Sequence, residues 1–248
     1  MQINLYLCTL FWKNMTLLCI ETSTTVCSAA IVINGQPVAA RISRSGGNHA
    51  QLLPCFVDEL LAQAKEQQWT LDGVALSEGP GSYTGLRIGA SLAKGLCYGL
   101  SIPLLPLPTI QVLAASFISQ SSILLPQSSV LCPMIDARRM EVYTALYTPE
   151  LEQIGAVEAK IVDSESWQAE LGEHEVYFFG DGAMKCASTV VSEHAHFVPD
   201  IVPEAQYMGC IAEALSRQVY VEGKALAYFD PLYVKEFVPA PSHVKGLV

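Results

Sequence analysis

Twelve consecutive residues constrain this chain most: Glu78-Gly79-Pro80-Gly81-Ser82-Tyr83-Thr84-Gly85-Leu86-Arg87-Ile88-Gly89. They join an apolar strand-like run at 71–76 to an apolar helix-like run at 86–100. Gly-Pro-Gly punctuates a turn, because glycine allows positive φ and proline sets its own. Ser82 or Thr84 can cap the helix that follows. A strand, a glycine turn and a capped helix start make an anion cradle, since free N–H groups and the helix dipole converge on one point. The same residues also read as a tight strand-to-helix turn with no ligand. Their spacing is neither that of the P-loop nor that of the dinucleotide fingerprint.

The rest of the chain alternates strands and helices. An apolar run at 17–20, a polar elbow Glu21-Thr22-Ser23-Thr24-Thr25, a second run at 26–33, the hairpin signal Asn34-Gly35 and a third run at 37–42 give a β-β-β start. An acid and several hydroxyls at such an elbow suit a phosphate or its magnesium, or simply a hydrogen-bonded Ser/Thr turn. Helical periodicity covers 49–68, with Leu52, Leu53, Phe56, Leu60 and Leu61 recurring on one face. Pro103, Pro106 and Pro108 end the first half. A helix capped by Thr109 and running to 119, strands at 130–135, 141–147 and 176–179, and a helix at 205–222 are expected beyond it. Asp136-Ala137-Arg138 sits between two of these strands, as a substrate site or an ion-paired hairpin. Gly180-Asp181-Gly182 is a second glycine turn.

Composition removes several functions. The chain has 248 residues, is 51% apolar and only 15% charged, so it can bury a large core in one or two domains. Fourteen basic residues among 24 acidic ones, net −10 and with no basic run, exclude autonomous nucleic-acid binding. Eight cysteines without a C-x-x-C pair read as reduced thiols of a cytoplasmic protein. Residues 1–14 are apolar but lack a basic start and a cleavage site, and are too short to span a membrane. The folded part is expected to begin at Met15, with 1–14 an extension from an upstream start.

The order of these pieces is more specific than any one of them. Leu18-Cys19-Ile20-Glu21-Thr22-Ser23, His49-Ala50-Gln51-Leu52-Leu53-Pro54, the 79–89 string and Ala93-Lys94-Gly95-Leu96 resemble the bacterial TsaB (YeaZ) family. Asp136-Ala137-Arg138, Glu141-Val142-Tyr143, Gly180-Asp181-Gly182-Ala183 and Pro231-Leu232-Tyr233 match its second half. The resemblance implies an α/β, actin-like ATPase fold (the ASKHA, RNase H-like class) of two β-α lobes. The lobes fall at 15–108 and 109–204, with an end segment 205–233 packing back and a loose tail 234–248. It implies a noncatalytic dimerisation subunit of the complex that transfers threonylcarbamoyl to N6 of adenosine 37 in tRNAs reading ANN codons. The implied partners are a TsaD-like catalytic paralogue and a TsaE-like ATPase, with tRNA met only through the complex and a homodimer when the chain is alone.

Under that reading the helices at 49–68 and 86–100 form the subunit interface, through Leu52, Phe56, Leu60, Leu86, Ile88, Gly89, Ala90, Ala93, Leu96 and Cys97. The candidate phosphate loop, degenerate here, is Glu21, Thr22, Ser23, Gly79, Gly81, Ser82, Thr84, Gly85, Gly180, Asp181 and Gly182. No metal or cofactor is expected on the chain alone; ATP or ADP with magnesium is expected at subunit junctions if anywhere. The residues agree with this: the paralogue's metal needs two histidines one helical turn apart, and here His49 is followed by Leu53. Glu21 stands where such ATPases use aspartate, which displaces its carboxylate by about one methylene. The rival reading is an active actin-like ATPase or small-molecule kinase. A peptidase would need a nucleophile–base pair or a metal that the sequence does not display.

Overall fold

The computed structural model describes residues 15–215 and 220–235, with the side chains of 213–215 left aside. The extension 1–14 and most of the tail, 236–248, therefore lie outside the described residues. Two five-stranded sheets organise the rest, each flanked by helices.

In the first sheet, β1 (Thr16–Glu21), β2 (Cys27–Ile33) and β3 (Gln36–Ser43) form an antiparallel meander. Asn34 and Gly35 turn the second hairpin with φ of 53° and 75°. Two left-handed residues match the strand twist, as a two-residue hairpin requires. β4 (Gly73–Gly79) then pairs parallel to β1, and β5 (Leu104–Pro108) parallel to β4, giving the order β3-β2-β1-β4-β5. Both faces of β1 are buried, so its run is apolar throughout rather than alternating. Leu18 and Ile20 face α1 (His49–Glu66) and α2 (Tyr83–Leu100), while Leu17 and Cys19 face the other way. Each such fully buried aliphatic side chain contributes about 1.5–3 kcal/mol.

The second sheet repeats this plan. β6 (Val130–Asp136), β7 (Glu141–Tyr147) and β8 (Gln153–Ile161) form the meander, and β9 (Val176–Phe179) and β10 (Ala195–Val198) add in parallel beside β6. Read from its meander edge, the order β8-β7-β6-β9-β10 repeats the first sheet's β3-β2-β1-β4-β5. A short helix α4 (Gln168–Glu173) takes the place that α1 holds in the first half.

Between the sheets lies α3 (Thr109–Gln120), whose residues are buried from Thr109 to Phe117. Val112 and Ala115 pack into the first lobe; Ile110, Leu113, Ala114 and Phe117 pack into the second, with Phe117 stacked on Phe179 at 4.2 Å. A helix buried all round has no polar stripe. Here Thr109 is not the cap: its hydroxyl bonds the Ser77 hydroxyl at 2.6 Å and accepts from the Gly79 N–H at 3.0 Å.

Three expectations change. The proline-rich stretch at 102–108 is an edge strand, where a missing N–H is tolerated. The helix expected at 205–222 breaks into a 3-10 turn at Ala205–Tyr207 and α5 (Gly209–Leu215), and Val221 instead bridges to Leu104. Strands β8 and β10 were not expected; β8 is a largely exposed edge. A last helix, α6 (Lys224–Tyr228), precedes the end segment.

Candidate functional site

A cleft of about 820 Å³ opens between the lobes. Its first-lobe wall is Ser23, Gly81, Ser82, Thr84 and Gly85, and its second-lobe wall is Asp136, Arg138, Tyr143 and Asp181. Turns far apart in sequence converge because the two lobes repeat one plan, which sets the β1–β2 and β6–β7 elbows and both glycine turns at equivalent strand ends. Residues 47–51, where Asn48 and His49 open α1, close the side. The phosphate-loop candidates did not include them or Tyr143, although His49 and Tyr143 stand in the strings that carry the family resemblance.

Of the phosphate-loop candidates, Ser23, Gly81, Ser82, Thr84, Gly85 and Asp181 line the cleft, whereas Glu21, Thr22, Gly79, Gly180 and Gly182 do not. Helix α2 begins at Tyr83, so most of the glycine string is helix rather than loop. Ser82 is the cap, its hydroxyl accepting from Gly85 N–H at 3.3 Å. The helix lies hard against the Glu21–Ser23 elbow. A Cβ on Gly85 would sit 2.1 Å from the Thr22 carbonyl oxygen, one on Gly81 2.4 Å from that of Ser23, and one on Gly89 2.4 Å from the Thr22 hydroxyl. Ser82 N–H donates to the Ser23 carbonyl at 2.6 Å, and the Thr22 hydroxyl donates to the Gly85 carbonyl at 2.8 Å. These glycines let a helix meet a backbone turn.

Thr22 and Glu21 lie beneath this contact, fully buried. Glu21 Oε1 accepts from Ser23 N–H at 2.6 Å, while Oε2 and the Ser23 hydroxyl oxygen have no hydrogen-bond partner. Burial pushes the Glu21 carboxyl up, and the hydrogen bond from Ser23 N–H only partly opposes it. Gly79, at φ 119°, faces Leu232, and Gly180, at φ 103°, packs on the Met134 carbonyl. Gly182 packs on β6 and Val142.

On the other wall Asp136 ion-pairs with Lys185, whose ammonium also donates to the Glu141 carbonyl at 2.7 Å. Burial alone would raise Asp136; the Lys185 ammonium and the Arg138 N–H outweigh it and hold the carboxyl below its ordinary range. The Asp181 carboxylate accepts from Asp136 N–H at 2.9 Å. The hairpin is thus held by Lys185 rather than by the arginines. Arg138 and Arg139 are exposed at φ 75° and 50°.

His49 turns its Nε2 to the Val26 carbonyl at 3.2 Å, and Leu53, one turn on, is fully buried in the first lobe's core. Among the described residues no group of three His, Cys, Asp or Glu side chains is placed to hold a metal.

The interface candidates divide by depth. Leu60, Leu86, Gly89, Ala90, Ala93 and Cys97 are buried within the chain's own core and cannot present a surface. They fall on the sheet side because the helical stripe read as a partner face is the one that packs the helix down. Leu52, Phe56, Ile88 and Leu96 are half-buried along the α1/α2 side. The outer face of α2 carries Tyr83, Arg87, Ser91, Gly95 and Tyr98, and a groove of about 570 Å³ runs between α1 and α2.

This architecture has relatives. The family described as TsaD, tRNA N6-adenosine threonylcarbamoyltransferase, matches residues 42–220. The Bacillus subtilis tRNA threonylcarbamoyladenosine biosynthesis protein TsaB is 30% identical over 204 residues, 80% of this chain and 82% of that protein. The chain belongs to the TsaB family. The Haemophilus influenzae TsaB is 34% identical over 131 residues, and the match spans about half of it, 53%. YeaZ from Pseudomonas aeruginosa superposes with a TM-score of 0.72 at 24% identity, covering 88% of this chain and 99% of that one. The two repeated sheets are accordingly the lobes of the actin-like fold. No helix among the described residues is long and apolar enough to cross a membrane.

Proposed function

We propose that this chain is a noncatalytic dimerisation subunit of the machinery that makes N6-threonylcarbamoyladenosine at position 37 of tRNAs reading ANN codons. It supports a TsaD-like catalytic paralogue and a TsaE-like ATPase in the cytoplasm, and meets tRNA only through them. The observation that carries this reading is the outer face of α2. Gly95 and Gly99 have nothing within 4 Å of where a Cβ would stand, unlike Gly85 and Gly89 of the same helix. Glycine in a helix costs about 1 kcal/mol relative to alanine, and nothing among the described residues recovers it there. Tyr98, between them, is 84% exposed, and Leu100 is 48% exposed. A helix from another subunit, approaching closely over the glycines and covering the tyrosine, supplies the missing reason. The net charge of −10 fits a subunit that leaves tRNA phosphates to its partner.

The test is product formation on an unmodified tRNA transcript with the paralogue, the ATPase and the carbamoyl-adenylate synthase, with and without this chain. Product should require the chain, and Gly95→Arg should abolish co-elution with the paralogue while leaving the circular dichroism spectrum intact. If omission changes nothing, the role is wrong. Leu86→Glu or Ala90→Glu would not serve, because both would bury a charge in the core.

The second reading, an ATPase or kinase, is favoured by the interlobe cleft and its convergence of turns from both lobes. Against it stand the sealed Glu21 and the close contact of the glycines with the elbow. Calorimetry with ATP and magnesium separates the two: flat traces on the isolated chain, with heat only when the paralogue is present, place any nucleotide at a subunit junction.

A further inference from the structure

The end segment ties both lobes together next to the face assigned above to the partner. After α6, Lys94 of α2 donates to the Ala227 and Phe229 carbonyls at 2.8 and 3.0 Å. Leu232 N–H donates to the Glu78 carbonyl at 2.7 Å, and its own carbonyl lies against Gly79, where only glycine leaves room. The Tyr233 ring lies 5.1 Å from that of Tyr83, tilted at 38°, and its hydroxyl accepts from Arg87 Nε at 3.2 Å. The Arg87 guanidinium also lies 4.5 Å over the Tyr83 ring. Two residues later Lys235 ion-pairs with Glu141 of β7, in the second lobe, with its ammonium 5.7 Å over Tyr143. Between Leu232 and Lys235 the chain therefore crosses from one lobe to the other.

We infer that residues 229–235 are a latch across the interlobe cleft, tightened when the TsaD-like paralogue docked on the outer face of α2 also fills the adjoining α1/α2 groove. The inference rests on the docking reading of the preceding subsection. Its joint is the Tyr83–Arg87 pair, which lines the groove and also holds Tyr233. A subunit in the groove covers this pair from the α1 side and removes water from the Arg87–Tyr233 bond. Hydrogen bonds and cation–π contacts strengthen as their surroundings dry. The closing contact, Lys235 with Glu141, is a partly exposed ion pair, worth little alone and readily opened. A marginal hold is what allows a neighbouring contact to shift the balance between open and closed forms. Partner docking on the first lobe is thereby transmitted to the second lobe's elbow.

The test is amide hydrogen exchange on the full chain, free and bound to the TsaD-like paralogue, with Tyr233→Phe beside the parent. In the free chain, loss of one hydroxyl acceptor should speed exchange at 229–235 by roughly fivefold and raise it at 141–147 as well. Binding the paralogue should slow both segments in the parent, and less so in the variant. The latch is overturned if Tyr233→Phe leaves 141–147 unchanged in the free chain. Its coupling is overturned if the complex forms with 229–235 exchanging at the free rate. If the parent binds no paralogue, the docking reading fails and takes the coupling with it, while the free-chain arm still decides the latch.

Discussion

Replacing Gly85 with alanine places a methyl carbon 2.1 Å from the Thr22 carbonyl oxygen. Neither atom belongs to a flexible side chain, so α2 has to move off the elbow by more than an ångström. The move strains a packed interior at a cost of about 3 kcal/mol, the upper part of the usual overpacking range. It also breaks the buried bond from the Thr22 hydroxyl to the Gly85 carbonyl, about 1 kcal/mol more. Better helix propensity returns about 1 kcal/mol. The net loss is roughly 3 kcal/mol, which lowers a urea midpoint by about 1 M. Gly95→Ala is the internal control: the same chemical change, in the same helix, with nothing within 4 Å. It should stabilise by about 0.5–1 kcal/mol. Equal midpoints for the two variants would refute the claim that the glycine string exists for contact between helix and elbow. A Gly85→Ala protein of normal stability that loses only ligand binding would restore the anion cradle.

Three other outcomes follow from the same structure. Glu21 is buried with its carboxyl pushed up, so the parent should lose stability as pH rises from the ordinary carboxylate range through the raised folded value; Glu21→Gln should flatten that slope in denaturation from pH 5 to 9, and a parallel slope would refute it. At the β9–β10 edge Glu175 accepts from His194 at 2.8 Å and also pairs with His196, which stacks on Tyr177, while Glu193 lies 3.8 Å from His194. The Glu175 contact raises His194 and the two histidines lower Glu175, so their mutual support is greatest at mildly acidic pH and fades as pH rises through the His194 titration or falls through that of Glu175. Imidazole proton shifts should show this, and Glu175→Gln should return His194 to an ordinary titration. Burial pushes the thiols of Cys27 to about 11 and of Cys97 and Cys132 to about 12, whereas Cys55 and Cys210 are exposed. Iodoacetamide at pH 8 should therefore alkylate Cys55 and Cys210 in the native protein and spare the other three, read peptide by peptide.

The β-β-β start, the hairpin at Asn34-Gly35 and the helices beginning at His49 and near Ser82 were legible in the sequence. Each is written in local signals: period, turn residues and a cap. The depth of a residue was not. Ala90, Ala93 and Cys97 share a helical stripe with the half-buried Leu96, and a stripe records that one face is apolar without saying whether sheet or partner covers it. Edge strands β5, β8 and β10 escaped because the prolines of β5, the exposure of β8 on both faces and the four-residue length of β10, all tolerated where one side of a strand is unpaired, leave no clean alternation. The meaning of the 79–89 string also lay outside its own residues. A glycine required by a turn and a glycine required by a neighbour look alike in one dimension.

The sequence by itself determined the order of elements, the α/β class, a leucine one helical turn after His49 and a net acidic charge, because these depend on residue type and short-range spacing. Only the tertiary structure decided that two halves with no obvious repeat share one strand order, that Glu21 lies beneath the cleft instead of in it, and that Lys235 reaches Glu141 across the lobes. Those depend on which backbone meets which at a distance, and that is set when packing closes the chain on itself.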